Sequence, residues 1–138
     1  MTRRALLPPA MKDMARNWRM SPGLVSGDHV FLTGFNGCAA DGTVSPDPAT
    51  QIETAFASVA EVLAEAGLTL RDTVEMTSYH VGLQDHLALF REIRARHLGP
   101  HDPAHPDPAW TAIEVAGFAT PGVIVELRVI ARLGDEDP

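Results

Sequence analysis

The chain has 138 residues, enough for one domain, and 45% of them are apolar, which is sufficient for a hydrophobic core. The formal charge of −7 argues against a protein that tracks phosphate backbones, so we expect no nucleic-acid partner. No apolar run approaches the roughly 20 residues that span a bilayer. The basic start is interrupted by Pro8 and Pro9 too early for a signal peptide, which predicts a cytoplasmic protein without a membrane partner.

The first third of the chain predicts short strands and a long loop. Residues 1–20 have no sustained period and predict an extension that packs loosely or forms an edge strand. Residues 23–28 predict a short strand and a tight turn, and residues 29–35 predict a β-branched and aromatic strand that ends at a glycine. Residues 36–48 are rich in Gly, Asp, Ser and Pro, which is typical of a loop.

The middle of the chain predicts two amphipathic helices separated by a strand. Asp47 is a suitable cap for the first helix and Pro48 suits its first position, while Gly67 ends it. Its apolar stripe consists of Ile52, Phe56, Val59 and Leu63. Residues 73–81 predict a strand. The second helix begins at Asp85 and stops at Gly99, and its apolar face carries Leu89, Phe90, Ile93 and His97.

Two β-patterned runs, at 108–116 and 123–131, are joined by a short turn and predict a C-terminal hairpin. Each run holds a carboxylate, Glu114 or Glu126, and a carboxylate in an apolar strand has either a buried partner or a chemical role. For Glu126 the alternative to a site role is an ion pair, either with Arg128, two residues away on the same side, or with an arginine of a neighbouring subunit. For Glu114 a structural ion pair is favoured.

The predicted order is β-β-α-β-α-β-β, an α+β two-layer sandwich in which two helices cover one face of the sheet. Both sides of the last predicted strand are partly apolar. The second face is therefore expected to be buried against other subunits.

Several segments together resemble the Rid family, also called the YjgF family and labelled endoribonuclease L-PSP. The segments are Met20–Gly23 followed by Gly27–Asp28, Phe31–Gly34, Ala64–Leu68 with Asp72–Val74, and the two C-terminal runs. The resemblance implies a chorismate-mutase-like fold that forms a homotrimer with a small-molecule cleft at each subunit interface. It covers roughly residues 20–133, which leaves an N-terminal extension at 1–19 and a disordered acidic tail at 134–138.

The resemblance also implies chemistry. In deaminating members an arginine binds the substrate carboxylate, and an acidic residue on the last strand positions or deprotonates water. The water attacks the imine carbon of substrates such as 2-aminoacrylate, without a cofactor or a metal. Carried onto this chain, Glu126 is the catalytic carboxylate. The substrate-binding positions are Met20, Thr33, Gly34, Trp110, Thr111 and Ala112, the last through its backbone.

Two of these positions depart from the family pattern, because Trp110 stands in place of the arginine and Met20 in place of an aromatic residue. A tryptophan suits a neutral or aromatic ligand, and losing a desolvated bidentate contact costs about 2–5 kcal/mol. One hypothesis is therefore a deaminase that uses Glu126. The alternative is a non-catalytic binder or metabolic sensor in which Trp110 is a stacking platform. The charge disfavours RNA cleavage, despite the family label.

The remaining candidates have structural interpretations. Arg94 is expected to be a solvated helix residue, and His80 a core or interface histidine. The proline-rich loop from His101 to His105 is expected to be a flexible insertion at the cleft mouth rather than a metal site. Cys38, the only cysteine, lies among small residues with no base nearby and is expected to pack rather than react.

Overall fold

The computed structural model describes residues 2–134, which form one mixed sheet of seven strands with two long helices and a short one. The strands are β1 (Arg4–Leu6), β2 (Gly23–Ser26), β3 (His29–Leu32), β4 (Phe35–Asn36), β5 (Thr73–His80), β6 (Ala109–Glu114) and β7 (Val125–Arg132). The helices are α1 (Lys12–Trp18), α2 (Pro48–Ala64) and α3 (Leu83–Leu98). The predicted α+β class is confirmed. Apart from Gly134, the tail predicted at 134–138 lies outside the described residues.

The strand order is β1-β2-β3-β7-β5-β6, with β4 also pairing with β7. The predicted C-terminal hairpin is therefore wrong, because β5 lies between β6 and β7. Strand β5 is parallel to β6, and α3 supplies the crossover connection that parallel neighbours require. The segment at 115–124 is long enough to cross the end of β5. That two strands follow each other in the sequence does not show whether a third strand lies between them.

A single apolar core fills the space between the sheet and the two long helices. Alternate residues of β7 point into it, and the predicted apolar stripe of α2 is fully buried. Those residues are Val125, Leu127, Val129 and Ala131 from β7, and Ile52, Phe56, Val59 and Leu63 from α2. Helix α2 begins as predicted, because the carboxylate of Asp47 accepts a hydrogen bond from the backbone N–H of Thr50.

The N-terminal segment differs in part from the prediction. Strand β1 pairs with β2 at the edge of the sheet, which was one of the two alternatives, but helix α1 was not predicted. Helix α1 has seven residues, none of them fully buried, so it lacks the apolar stripe on which a periodicity prediction depends. Arg19 ends it in the left-handed conformation at φ 50° and turns the chain toward Met20.

The strand predicted at 29–35 is interrupted at Thr33 and Gly34, which separate β3 from β4. Both pieces pair with β7, β3 near its C-terminal end and β4 near its N-terminal end. Among the helices of residues 2–134, none has both the length and the apolar character needed to cross a bilayer.

Gln51 is a fully buried polar residue that connects α2 to two loops. Its amide nitrogen donates to the carbonyl oxygens of Ser45 and Gly122, at 2.8 and 2.9 Å, and its amide oxygen accepts from the N–H of Ile124 at 2.9 Å. Because Ile124 precedes β7, these three hydrogen bonds fix where that strand enters the sheet.

Replacing Gln51 with Leu keeps the side-chain volume but removes all three hydrogen bonds. Buried groups left unpaired cost about 1–3 kcal/mol each, so we expect the free energy of unfolding to fall by about 3 kcal/mol. Urea unfolding measures this loss, with Gln84→Leu at an exposed position of α3 as the control. A loss no larger than that of the control contradicts the role assigned to Gln51.

Candidate functional site

The sheet has one face packed against α2 and α3, and the opposite face is here called the outer face. Residues directly paired across strands share a face, so the registers of β5, β6 and β7 place their side chains. One row of the outer face contains Ile113, Tyr79, Glu126 and Asn36. The next row contains Thr111, Thr77 and Arg128. Glu126 therefore lies in the middle of a continuous surface of four strands.

The carboxylate of Glu126 has no hydrogen bond or ion pair with any residue of the described range 2–134. Arg128 lies on the same face two residues away, but it does not form the ion pair considered as the alternative. Burial raises the pKa of the Glu126 carboxyl above its ordinary value, because a partly desolvated carboxylate is disfavoured. A half-buried carboxylate without a partner is available for proton transfer.

The break between β3 and β4 makes room for this carboxylate. A Cβ atom on Gly34 would lie only 2.7 Å from Oε2 and 2.8 Å from Cδ of Glu126, so any larger residue would displace it. Beside it, the hydroxyl of Thr33 donates to the sulfur of Met20 at 3.2 Å. The structure thus brings four of the predicted positions together: Met20, Thr33, Gly34 and Glu126.

Gly34→Ala tests the close approach between Gly34 and Glu126. The new methyl group is expected to push the flexible carboxylate toward solvent, so the pKa of Glu126 should move back toward its ordinary value. The free energy of unfolding should change by less than about 1 kcal/mol. An NMR titration of the Glu126 side chain measures the pKa, and Gly117→Ala, where a Cβ meets no atom within 4 Å, is the control. An unchanged pKa in Gly34→Ala contradicts the contact.

The three predicted positions on β6 divide between the two faces. Thr111 lies on the outer face, in the row adjacent to Glu126 and two strands away from it. Trp110 and Ala112 are paired with Met76 and Ser78, whose side chains are buried on the helix side. The side chains of Trp110 and Glu126 therefore point to opposite faces of the sheet.

The side chain of Trp110 is held by contacts on the helix side of the sheet. Its indole N–H donates to the hydroxyl oxygen of Ser78 at 2.9 Å, and its ring lies 5.8 Å from the ring of Phe90. The guanidinium carbon of Arg94 lies 4.3 Å from the centre of the indole. The prediction that Arg94 is solvated is wrong, because Phe90 and Arg94 are four residues apart on one face of α3 and both reach the same ring.

Sequence reasoning missed a buried polar cluster behind Trp110, formed by Ser78, His80 and His86. His80 joins the other two, with Nε2 at 2.8 Å from Oγ of Ser78 and Nδ1 at 3.0 Å from Nε2 of His86. Burial lowers the pKa of His80 to about 4 and also lowers the pKa of His86. The alternation of side chains along β5 could have indicated part of this cluster, because it places Ser78 and His80 on the same side of the strand as Met76. The partner on α3 could not be inferred.

The other candidates take structural roles. Glu114 accepts a hydrogen bond from the N–H of Leu83 at 3.0 Å and so caps α3, rather than forming an ion pair. His101 contacts Asp107 at 3.0 Å, and no three His, Cys, Asp or Glu side chains within residues 2–134 converge as metal ligands. Tyr79, which lies in register beside Glu126, is an outer-face residue that sequence reasoning did not single out.

The fold and the outer face define a class: an α+β protein whose helices, within residues 2–134, pack on one face of the sheet only, with a carboxylate near the centre of the other face that has no partner in that range. The family model of endoribonuclease L-PSP matches residues 12–133. The chain belongs to this family, which is the Rid or YjgF family indicated by the sequence segments.

Individual relatives support the same family and the same fold. RutC family protein YjgH of Escherichia coli (strain K12) is 31% identical over 134 residues, covering 97% of this chain and 98% of YjgH. A solved structure of protein YjgH has a TM-score of 0.83 at 30% identity, covering 99% of this chain and all of that one. The structure of E. coli TdcF with bound serine is 22% identical, with a TM-score of 0.67 over 81% of this chain and 86% of TdcF, and it shares the fold.

Proposed function

We propose that this protein binds a small enamine or imine on the outer face and hydrolyses it, with Glu126 as the general base. The observation that carries the proposal is the carboxylate of Glu126, which is half-buried, has a raised pKa and has no partner among the described residues. Met20, Thr33 and Gly34 surround it on one side, and Thr111 offers a hydroxyl group two strands away.

The chemistry needs only this carboxylate and water. Glu126 accepts a proton from water as the water oxygen bonds to the imine carbon, and the electron pair of the C=N bond moves to nitrogen. The protonated carboxyl then returns the proton to nitrogen, which gives a carbinolamine. Glu126 next transfers the proton of the new hydroxyl group to the amino nitrogen, so the C–N bond breaks, ammonia leaves and the oxygen forms the carbonyl. The products are a carbonyl compound and ammonia. No cofactor is required, because the imine carbon is already electrophilic.

We further propose that three copies assemble, with the outer faces turned inward and the ligand cleft between neighbouring subunits, and that the protein acts in the cytoplasm. In a single chain the outer face exposes large apolar side chains, including 40% of Phe31 and 41% of Ile113. Covering them against other copies removes apolar area from water. Sedimentation should find about three chain masses at micromolar concentration, and a stable monomer overturns the assembly.

The second candidate is ligand binding without turnover, and the serine bound by TdcF favours a small amino-acid-like ligand. The stacking role considered for Trp110 receives less support, because Phe90 and Arg94 already contact its ring and its side chain points away from Glu126.

The decisive experiment generates 2-aminoacrylate or another amino-acid imine in situ and compares its hydrolysis with and without the protein. The deaminase proposal expects an acceleration that is proportional to protein concentration. If there is none, while NMR detects binding of serine or a related metabolite, the protein is a binder and the deaminase proposal is overturned.

A further inference from the structure

The open edge of β6 carries a second cluster of functional groups, on the helix side and separate from Glu126. Its centre is the indole of Trp110, which Phe90 and Arg94 of α3 both contact. Strand β6 pairs with β5 on one side only, so this cluster lies where the sheet ends. Asp107, just before β6, is close enough to favour the charged form of Arg94 electrostatically.

Arg94 has an unusual environment for a cation in an acidic chain. Across residues 2–134 its guanidinium forms no ion pair within 4.0 Å, and its Nε atom is enclosed without a hydrogen-bond partner. Asp107 favours the charged form of Arg94 only from beyond ion-pair distance, and its carboxylate contacts His101 at 3.0 Å. Burial lowers the pKa of Arg94, which reflects the cost of placing an unpaired charge there.

The aromatic platform beneath Arg94 is rigid. The indole N–H of Trp110 can only donate, so Ser78 accepts from it and is free to donate its own proton to Nε2 of His80. His80 then donates from Nδ1 to Nε2 of His86, so the hydrogen bonds of the four side chains run in one direction. This buried chain holds the indole in place, and the guanidinium of Arg94 lies over the face of the indole, with Cζ 4.3 Å from the ring centre.

We propose that Arg94, stacked on Trp110, binds a small oxyanion, a carboxylate or phosphate group, at the β6 edge. A guanidinium presents parallel N–H groups that match a pair of oxygens, and here its stacked geometry is set before the ligand arrives. The net charge of the chain is −7, so an anion is attracted only where a cation dominates locally. The site does not depend on the hydrolysis proposed for Glu126, which lies on the opposite face.

The test uses Trp110 as its own reporter. The chain has two tryptophans, so Trp18→Phe, at a position that is 69% exposed, leaves Trp110 as the only one. In this background the fluorescence is titrated with inorganic phosphate and, separately, with acetate, at ionic strength held constant by sodium chloride. We expect a saturable change with a Kd on the order of 1 mM for at least one of the two anions, and the stronger response identifies the preferred oxyanion.

Arg94→Gln should abolish the saturable response. Arg91→Gln, at an exposed position one turn earlier on α3, changes the net charge equally and should keep it. Glu126→Gln should also keep it, so failure of the hydrolysis proposal and failure of this one are distinguishable. A linear response, or an equal loss in Arg91→Gln and Arg94→Gln, overturns the site. So does an Arg94→Gln variant that retains the response but no longer assembles, because the guanidinium then pairs with another copy of the chain.

Discussion

Glu126→Gln is expected to lower the rate of imine hydrolysis by about 10²–10⁴-fold, the usual contribution of general acid–base catalysis. The amide keeps the shape of the side chain but cannot accept the proton from water. The measurement is the protein-dependent hydrolysis of an imine generated in situ, at fixed pH. Glu75→Gln is the matched control, because this substitution removes the same charge. Glu75 also lies on the outer face of β5, but Thr77 separates it from the row that contains Glu126.

Two further readouts separate catalysis from folding. The raised pKa of Glu126 means that the ionised base is lost as the pH falls through that value, so the wild-type rate should decline on the acidic side from a pH above 4.5. The folded state also binds this proton more tightly than the unfolded state, so ionising Glu126 reduces stability as the pH rises. Glu126→Gln should therefore be at least as stable as the wild type at pH 7. Equal rates in the two Gln variants contradict the assignment of the base.

Acid should destabilise the protein by up to about 3 kcal/mol between pH 6.5 and pH 4 through His80. The pKa of His80 is lowered to about 4 in the folded protein, against 6.5 in the ordinary state, so the unfolded chain binds the extra proton in this window. Stability is therefore full above pH 6.5 and is lost as the pH falls toward 4. The lowered pKa of His86 acts in the same direction.

Urea unfolding at pH 7, 6, 5 and 4.5 measures this loss. His80→Gln retains hydrogen-bonding groups but does not titrate, so the difference in stability between it and the wild type should shrink as the pH falls. His105→Gln, at an exposed position, should follow the wild type at every pH. Carboxylates titrate equally in all three proteins and cancel in the comparison. If His80→Gln has the same acid dependence as the wild type, the buried histidines are not its source.

The parts of the fold that could be predicted depend on short-range patterns. Helix α2 was predicted from its cap at Asp47 and from an apolar stripe that repeats every three or four residues. The order of β5, β6 and β7 could not be predicted in this way, because the alternation within a strand does not say which strand lies beside it. Helix α1 was missed for a related reason, since its seven residues bury no apolar face.

The candidate site divides in the same way. The segment from Met20 to Gly34 and the position of Glu126 were identified from family-like motifs, and the structure brings them together. The opposite orientation of Trp110 follows from its register with Met76, which is a long-range property. The stacking of Arg94 on Trp110 likewise depends on how α3 lies over the sheet. Polarity patterns predicted which side chains were unusual, whereas tertiary packing decided which of them meet.

The position of β7 has a consequence for how the protein is made. It is the last of the seven strands to leave the ribosome, yet it pairs with β3, β4 and β5 at the centre of the sheet. Until it arrives, β3 and β5 present unpaired edges that other chains can join. The nascent chain therefore gains its main sheet in one late step, and every partly synthesised copy exposes the surface that most favours aggregation.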